Sequence, residues 1–142
     1  MPNVQSLPPK AAELTVASTL FTCEFHAEGR GAAWVRVRGE LDLTSATQFK
    51  QTLHEALEHA LLVIIDLRAL TFMDSTGLHA IMEADARARR SGHRLVLIRG
   101  SGQVDRLLKL VGVTDRLRIL DLAPDLPAAH AISDASAYDA AC

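Results

Sequence analysis

Leu62-Val63-Ile64-Ile65-Asp66-Leu67-Arg68-Ala69-Leu70-Thr71-Phe72-Met73-Asp74-Ser75-Thr76-Gly77-Leu78 carries an apolar run into Asp74-Ser75-Thr76-Gly77, where a helical pattern starts at once. Leu62 to Leu67 is continuous and rich in β-branched residues, the pattern of a strand buried on both faces. The helix expected from about Ser75 to Arg90 turns Leu78, Ile81 and Met82 inward and ends at Ser91-Gly92. Asp85 falls on the same stripe, a conflict resolved either by the helix leaving the core or by a nearby arginine. A hydroxyl therefore stands at the mouth of a helix, beside a carboxylate, at the end of a buried strand. Free backbone N–H groups and the helix dipole favour anionic groups there. Ser75 is thus either a simple cap or a phosphate acceptor.

Working outward, Leu20 to His26 alternates with Phe21, Cys23 and Phe25 on one face, and Ala33 to Arg38 alternates with Val35 and Val37 inward. Glu28-Gly29-Arg30-Gly31 between them is a turn signal, so the two runs predict an antiparallel hairpin with Trp34, Arg36 and Arg38 on its outer face. A helix follows Gly39-Glu40-Leu41-Asp42, with Ser45 and Gln48 spaced as a capping box and Ala46, Phe49, Leu53, Ala56, Leu57 and Ala60 forming its stripe. Arg94 to Ile98 reads as a strand. Ser101 caps a third helix with Val104, Leu107, Leu108 and Val111 inward and Gly112 as its stop, and Leu117 to Leu120 is a last strand. The fold class is α/β: an N-terminal hairpin, then parallel crossovers, in a mixed sheet covered by helices. Residues 1–18, with three prolines and no periodicity, read as a flexible arm, 19–122 as the domain, and 123–142 as a flexible Ala, Asp and Pro-rich tail with at most one marginal helix.

With 142 residues, 49% of them hydrophobic, the chain has enough apolar surface for one core without a metal or disulfide staple. A net charge of −2 argues against a broad nucleic-acid or anionic-membrane footprint. The two cysteines, Cys23 and Cys142, form no zinc or redox motif, which fits a reduced, cytoplasmic protein. Residues 1–10 lack an apolar signal core, and the longest apolar run, Ala60 to Ile65, is too short to span a bilayer. No metal or cofactor is expected.

Gly39-Glu40-Leu41-Asp42 after the second strand, Phe72-Met73-Asp74-Ser75-Thr76-Gly77-Leu78 after the third, and the Arg99–Gly112 segment together resemble a STAS domain over roughly residues 20 to 121. In stand-alone members of that family, the serine after the aspartate is phosphorylated by an anti-sigma factor with serine kinase activity. The unmodified antagonist binds that kinase and frees a sigma factor, and a metal-dependent phosphatase reverses the modification. The resemblance implies Ser75 as acceptor, with Thr76 as the rival. Asp42 would be the nearby carboxylate of the second strand's end, and Asp42, Asp74, Ser75, Thr76, Gly77 and Leu78 the partner-binding set.

Each residue also has a bland reading. Ser75 alone would be a helix cap worth about 1 kcal/mol; only its combination with Asp42 and the element order favours a switch. Asp42 also suits a cap at the Thr44/Ser45 helix start, and Asp74 a favourable dipole contact. Gly77 serves either close partner approach or turn geometry. His79, on Ser75's helical face, either meets a phosphate or is a solvated histidine; many family members carry a small residue there. Trp34 with Arg36 and Arg38 is either a contact surface or a solvated strand face.

Catalysis by Ser75 is disfavoured. No histidine is placed with an orienting acid as its base, the Gly-x-Ser-x-Gly elbow is absent, and Arg99-Gly100-Ser101-Gly102 lacks the lysine of a phosphate loop. The alternative to a stand-alone antagonist is a STAS subunit docking on a membrane transporter or sensory complex.

Overall fold

The computed structural model describes residues 21–29 and 31–132. β1 (Thr22–Glu28) and β2 (Ala32–Leu41) form the hairpin, with Cys23 opposite Val37 and Phe25 opposite Val35. There follow α1 (Ala46–His59), β3 (Leu62–Met73), α2 (Ser75–Arg90), β4 (Arg94–Ile98), α3 (Gly102–Val111) and β5 (Arg118–Leu120). The strands lie in the order β1-β2-β3-β4-β5, and β2 to β5 run parallel. Every crossover steps to the next position in the same direction. Because such crossovers are right-handed, all three helices land on one face.

That face holds the main core. Val35, Val37, Val63, Ile65, Leu67, Leu95 and Leu97 meet Phe49 and Leu53 of α1, Leu78 and Ile81 of α2, and Val104 and Leu108 of α3. Phe21, Cys23 and Phe25 pack partly against it, and burial pushes the Cys23 thiol up to about 11. Asp85 is 8% exposed on the inward side of α2 and pairs with Arg89 at 2.9 Å, so the arginine resolves the conflict seen in the sequence.

The opposite face carries Ala32, Leu62, Ile64, Val96 and Ile98, covered by Ala128 and Ala131. Residues 123–132, assigned to the tail from composition, therefore pack on the sheet. Arg68 holds them there. Its guanidinium forks onto Asp66 with two bonds of 2.9 Å and donates to the carbonyls of Ala123 at 2.7 Å and Leu126 at 2.8 Å. Two of those acceptors are main-chain groups, which composition does not reveal. The arm 1–18 and residues 133–142 lie outside the described residues.

β3 runs to Met73, so the strand continues from the apolar run at Leu62–Leu67 up to Asp74. Its inward residues are Val63, Ile65 and Leu67, then Leu70 and Met73. The alternation slips twice because Leu67 and Arg68 together face Val37, and Thr71 has no partner between the Gly39–Leu70 and Glu40–Phe72 pairs. These are bulges, each adding one residue and bending the strand. Gly39, at φ 90°, takes the backbone turn that the second requires, and Thr71 Oγ1 donates to its carbonyl at 2.9 Å.

Candidate functional site

The bulges bring the ends of β2 and β3 level. Leu41 pairs with Met73, and the Asp74 N–H donates to the Leu41 carbonyl at 3.2 Å. Asp42 and Asp74, the residues that follow these strand ends, thus begin two adjacent loops, and each commits its carboxylate to the start of a helix.

Asp42 Oδ1 accepts from the Thr44 hydroxyl at 2.7 Å, the Thr44 N–H at 3.0 Å and the Ser45 N–H at 3.3 Å. Those donors, the Thr44 hydroxyl first, hold its carboxyl below the ordinary value. The capping box expected of Ser45 and Gln48 does not form. Ser45 already has helical backbone angles, and its hydroxyl points back, accepting from the Asp42 N–H and donating to the Glu40 carbonyl, both at 2.9 Å. Ser101 likewise occupies a cap position without a side-chain cap bond.

Asp74 is the N-cap of α2. Its Oδ1 accepts from the N–H groups of Thr76 at 2.9 Å and Gly77 at 3.3 Å. Ser75 is therefore the first helical residue, not the cap. It is exposed, and its hydroxyl has no partner among the described residues. Thr76 is half-buried and His79 exposed.

Gly77 and Leu78 face inward. A Cβ on Gly77 would lie 2.6 Å from Leu41 Cγ and 2.8 Å from Met73 Cγ. Glycine is needed there so that α2 can seat on the two strand ends. Leu78, 4% exposed, belongs to the main core and offers no contact surface. The surface members of the expected set are Asp42, Asp74, Ser75 and Thr76.

Gln103, Leu43 and Phe72 also lie at or next to these strand ends, and none of them was assigned an individual role from the sequence. β4 stops at Ile98, opposite Asp66, so the far end of β3 has no β4 residue beside it. Gln103 of α3 substitutes: its side-chain amide accepts from the Met73 N–H at 3.0 Å and donates to the Met73 carbonyl at 2.9 Å. No spacing rule marks a glutamine as a strand mimic. Leu43 is 75% exposed beside Asp42, and Phe72 is 37% exposed before Met73. The signal available for Leu43 was an apolar residue inside the polar turn Asp42-Leu43-Thr44. Surface grooves of about 450 and 510 Å³ are lined by other residues, and neither includes Asp42, Asp74 or Ser75. The arrangement is thus an exposed hydroxyl next to the Asp74 cap, at the end of the sheet where the Asp42 loop also starts and outside both grooves, which suits a protein partner more than an enclosed small substrate.

The model of the STAS domain family matches residues 26–129. An anti-sigma-B factor antagonist of Listeria monocytogenes is 30% identical over 91 residues, covering 63% of this chain and 80% of that protein. The unphosphorylated form of the anti-sigma factor antagonist SpoIIAA superposes with a TM-score of 0.68 at 19% identity, covering 82% of this chain and 97% of that one. The phosphorylated form of the Bacillus cell fate determinant SpoIIAA gives 0.63 at 19% identity, covering 80% and 99%. With a family match across most of the folded residues and the same hairpin-plus-crossover sheet, the chain belongs to the STAS domain family.

Proposed function

We propose that this protein is an anti-sigma factor antagonist whose free form binds an anti-sigma factor serine kinase and so releases a sigma factor, and that phosphorylation of Ser75 ends that binding. A metal-dependent serine phosphatase would restore it, and the whole cycle belongs in the cytoplasm. The protein is a substrate in this cycle and a binding module, not an enzyme. The observation that carries the reading is the Ser75 hydroxyl, exposed and uncommitted on the first turn of α2, beside the cap carboxylate of Asp74. The names of the Listeria and SpoIIAA relatives point the same way.

The physical effect of phosphate follows from its neighbours. It adds about −1.5 to −2 charges at neutral pH. The helix dipole tolerates them, but the Thr76 and Gly77 N–H groups are already taken by Asp74. A like-charge pair at about 4 Å costs on the order of 4 kcal/mol at an effective dielectric of 20. A partner surface that fits a neutral hydroxyl would have to desolvate this concentrated negative charge on binding, and each 1.4 kcal/mol of that cost is about tenfold in affinity, so about a hundredfold loss of partner binding needs no refolding.

The test is incubation with ATP and candidate anti-sigma kinases, followed by intact-mass analysis, site mapping and binding assays. One phosphate on Ser75 is expected, with Ser75→Ala binding constitutively and Ser75→Asp binding weakly at an unchanged melting temperature. Equal binding by both variants would sink the switch, and a phosphate mapped to Thr76 would move the acceptor by one residue.

A further inference from the structure

Arg36 and Arg38 lie two residues apart on β2, so both project from the sheet face opposite α2. With Asp66, Arg68 and Ala69 of β3 they line a groove of about 450 Å³, walled on its other side by the turn at 124–127. The charges in this groove are unequal in status. Arg68 is fully engaged by Asp66 and two carbonyls, and Asp66, 3% exposed, is neutralised by it. Arg36 lies over the Trp34 ring, 5.2 Å from its centroid, and Arg38 is exposed with no hydrogen-bond or ion-pair partner among the described residues. By contrast, Arg99 is held by Asp121 at 2.6 Å and Asp105 at 3.0 Å. In a protein of net charge −2, Arg36 and Arg38 lie beside this groove without an ion pair among the described residues, with Glu24 across the hairpin from Arg36. Asp125 on the rim is the remaining carboxylate there.

We propose that this groove is a second interaction surface, separate from Ser75, that takes an extended acidic peptide segment of a partner protein. Side chains at alternate positions of a strand lie about 7 Å apart, so the two guanidiniums match carboxylates at alternate positions of an extended peptide. Guanidinium groups bind carboxylates in paired, directional hydrogen bonds. The small side chain of Ala69, opposite Arg38, leaves room over the sheet, and Pro124, Leu126 and Pro127 give an apolar wall for an intervening side chain. β2 is hydrogen-bonded on both sides, so recognition is through side chains and not by strand addition.

Trp34 is the single tryptophan of the chain and reports on the groove through Arg36. The full-length protein is titrated with a blocked Glu-Leu-Glu-Leu-Glu peptide, followed by tryptophan emission and calorimetry. Saturable binding is expected with a dissociation constant on the order of 100 μM, weakening as salt is raised. Arg38→Gln and the double variant Arg36→Gln/Arg38→Gln should lower the affinity about tenfold or more without changing the melting temperature. Ser75→Asp should bind the peptide as the unaltered protein does, so the outcome is independent of the phosphorylation reading. No saturable binding, or equal binding by the double variant or of a Lys-Leu-Lys-Leu-Lys peptide, overturns the proposal. Displacement of the peptide by an equal concentration of inorganic phosphate would reduce the groove to a generic anion subsite and overturn the peptide assignment.

Discussion

The Asp74 N–H donates to the Leu41 carbonyl at 3.2 Å, and this bond joins the two halves of the site. It aligns the last residues of neighbouring parallel strands, so the loops that begin with Asp42 and Asp74 leave the sheet side by side. Substitutions at Gly77, Asp74 and Gln103 probe how that alignment is kept and what it does, and one at Asp85 tests a pH dependence.

Gly77→Ala should destabilise the protein by about 1–3 kcal/mol, the usual range for an overpacked core. The new methyl would meet Leu41 Cγ and Met73 Cγ, side chains buried beneath the start of α2, which cannot swing out to solvent. Denaturant unfolding measures this, and wild-type stability would refute the tight seating of α2.

Asp74→Ala removes the acceptor for two N–H groups and should cost about 1 kcal/mol, whereas Asp74→Asn keeps an acceptor oxygen and should stay within about 0.5 kcal/mol of wild type. Asp74→Asn thereby isolates the charge from the cap. Under the proposed switch it should relieve part of the repulsion in the Ser75-phosphorylated form and restore some kinase binding, measured by calorimetry on the phosphoprotein.

Gln103→Leu leaves the Met73 N–H and carbonyl without partners and should cost about 1–3 kcal/mol. Gln103→Glu keeps the acceptor but sets an oxygen against the Met73 carbonyl. Both variants should speed hydrogen exchange at the Met73 amide and slow phosphorylation of Ser75. Unchanged exchange at Met73 would show that Gln103 does not hold the strand end.

Asp85→Asn tests a pH dependence. Burial raises the Asp85 carboxyl above its ordinary 3.8, with Arg89 opposing. The folded state therefore binds this proton more tightly than the unfolded chain, which stabilises the fold below the ordinary value. That contribution is lost as the pH rises through the raised value. Relative to Asp85→Asn, the unaltered protein should gain stability on acidification across that interval, and parallel stability–pH curves would contradict it.

The helices and the hairpin were legible because their periods are regular: Phe49, Leu53, Ala56 and Leu57 repeat at helical spacing, and Cys23/Phe25 and Val35/Val37 alternate. The faces of β3 beyond Leu67 were not, because two bulges break the period of two at Leu67 and Thr71. Of the candidate site, Asp74 and Ser75 were marked by residue type at a helix start, and Asp42 by the family resemblance. Gln103 escaped notice because its role is a long-range bond to main-chain atoms.

The sequence by itself determined the element order, the face each regular element buries, and the placing of a serine after an aspartate at a helix start. Those features depend on neighbours within a few residues, through side-chain period and local capping. Only the tertiary structure decided that Asp74 and not Ser75 is the cap, that Gly77 and Leu78 belong to the core, that residues 123–132 cover the second sheet face, and that Arg36 and Arg38 line a groove. Each of these depends on which distant backbone groups and side chains compete for the same donor, acceptor or apolar surface, and that competition is settled only when the strands take their register.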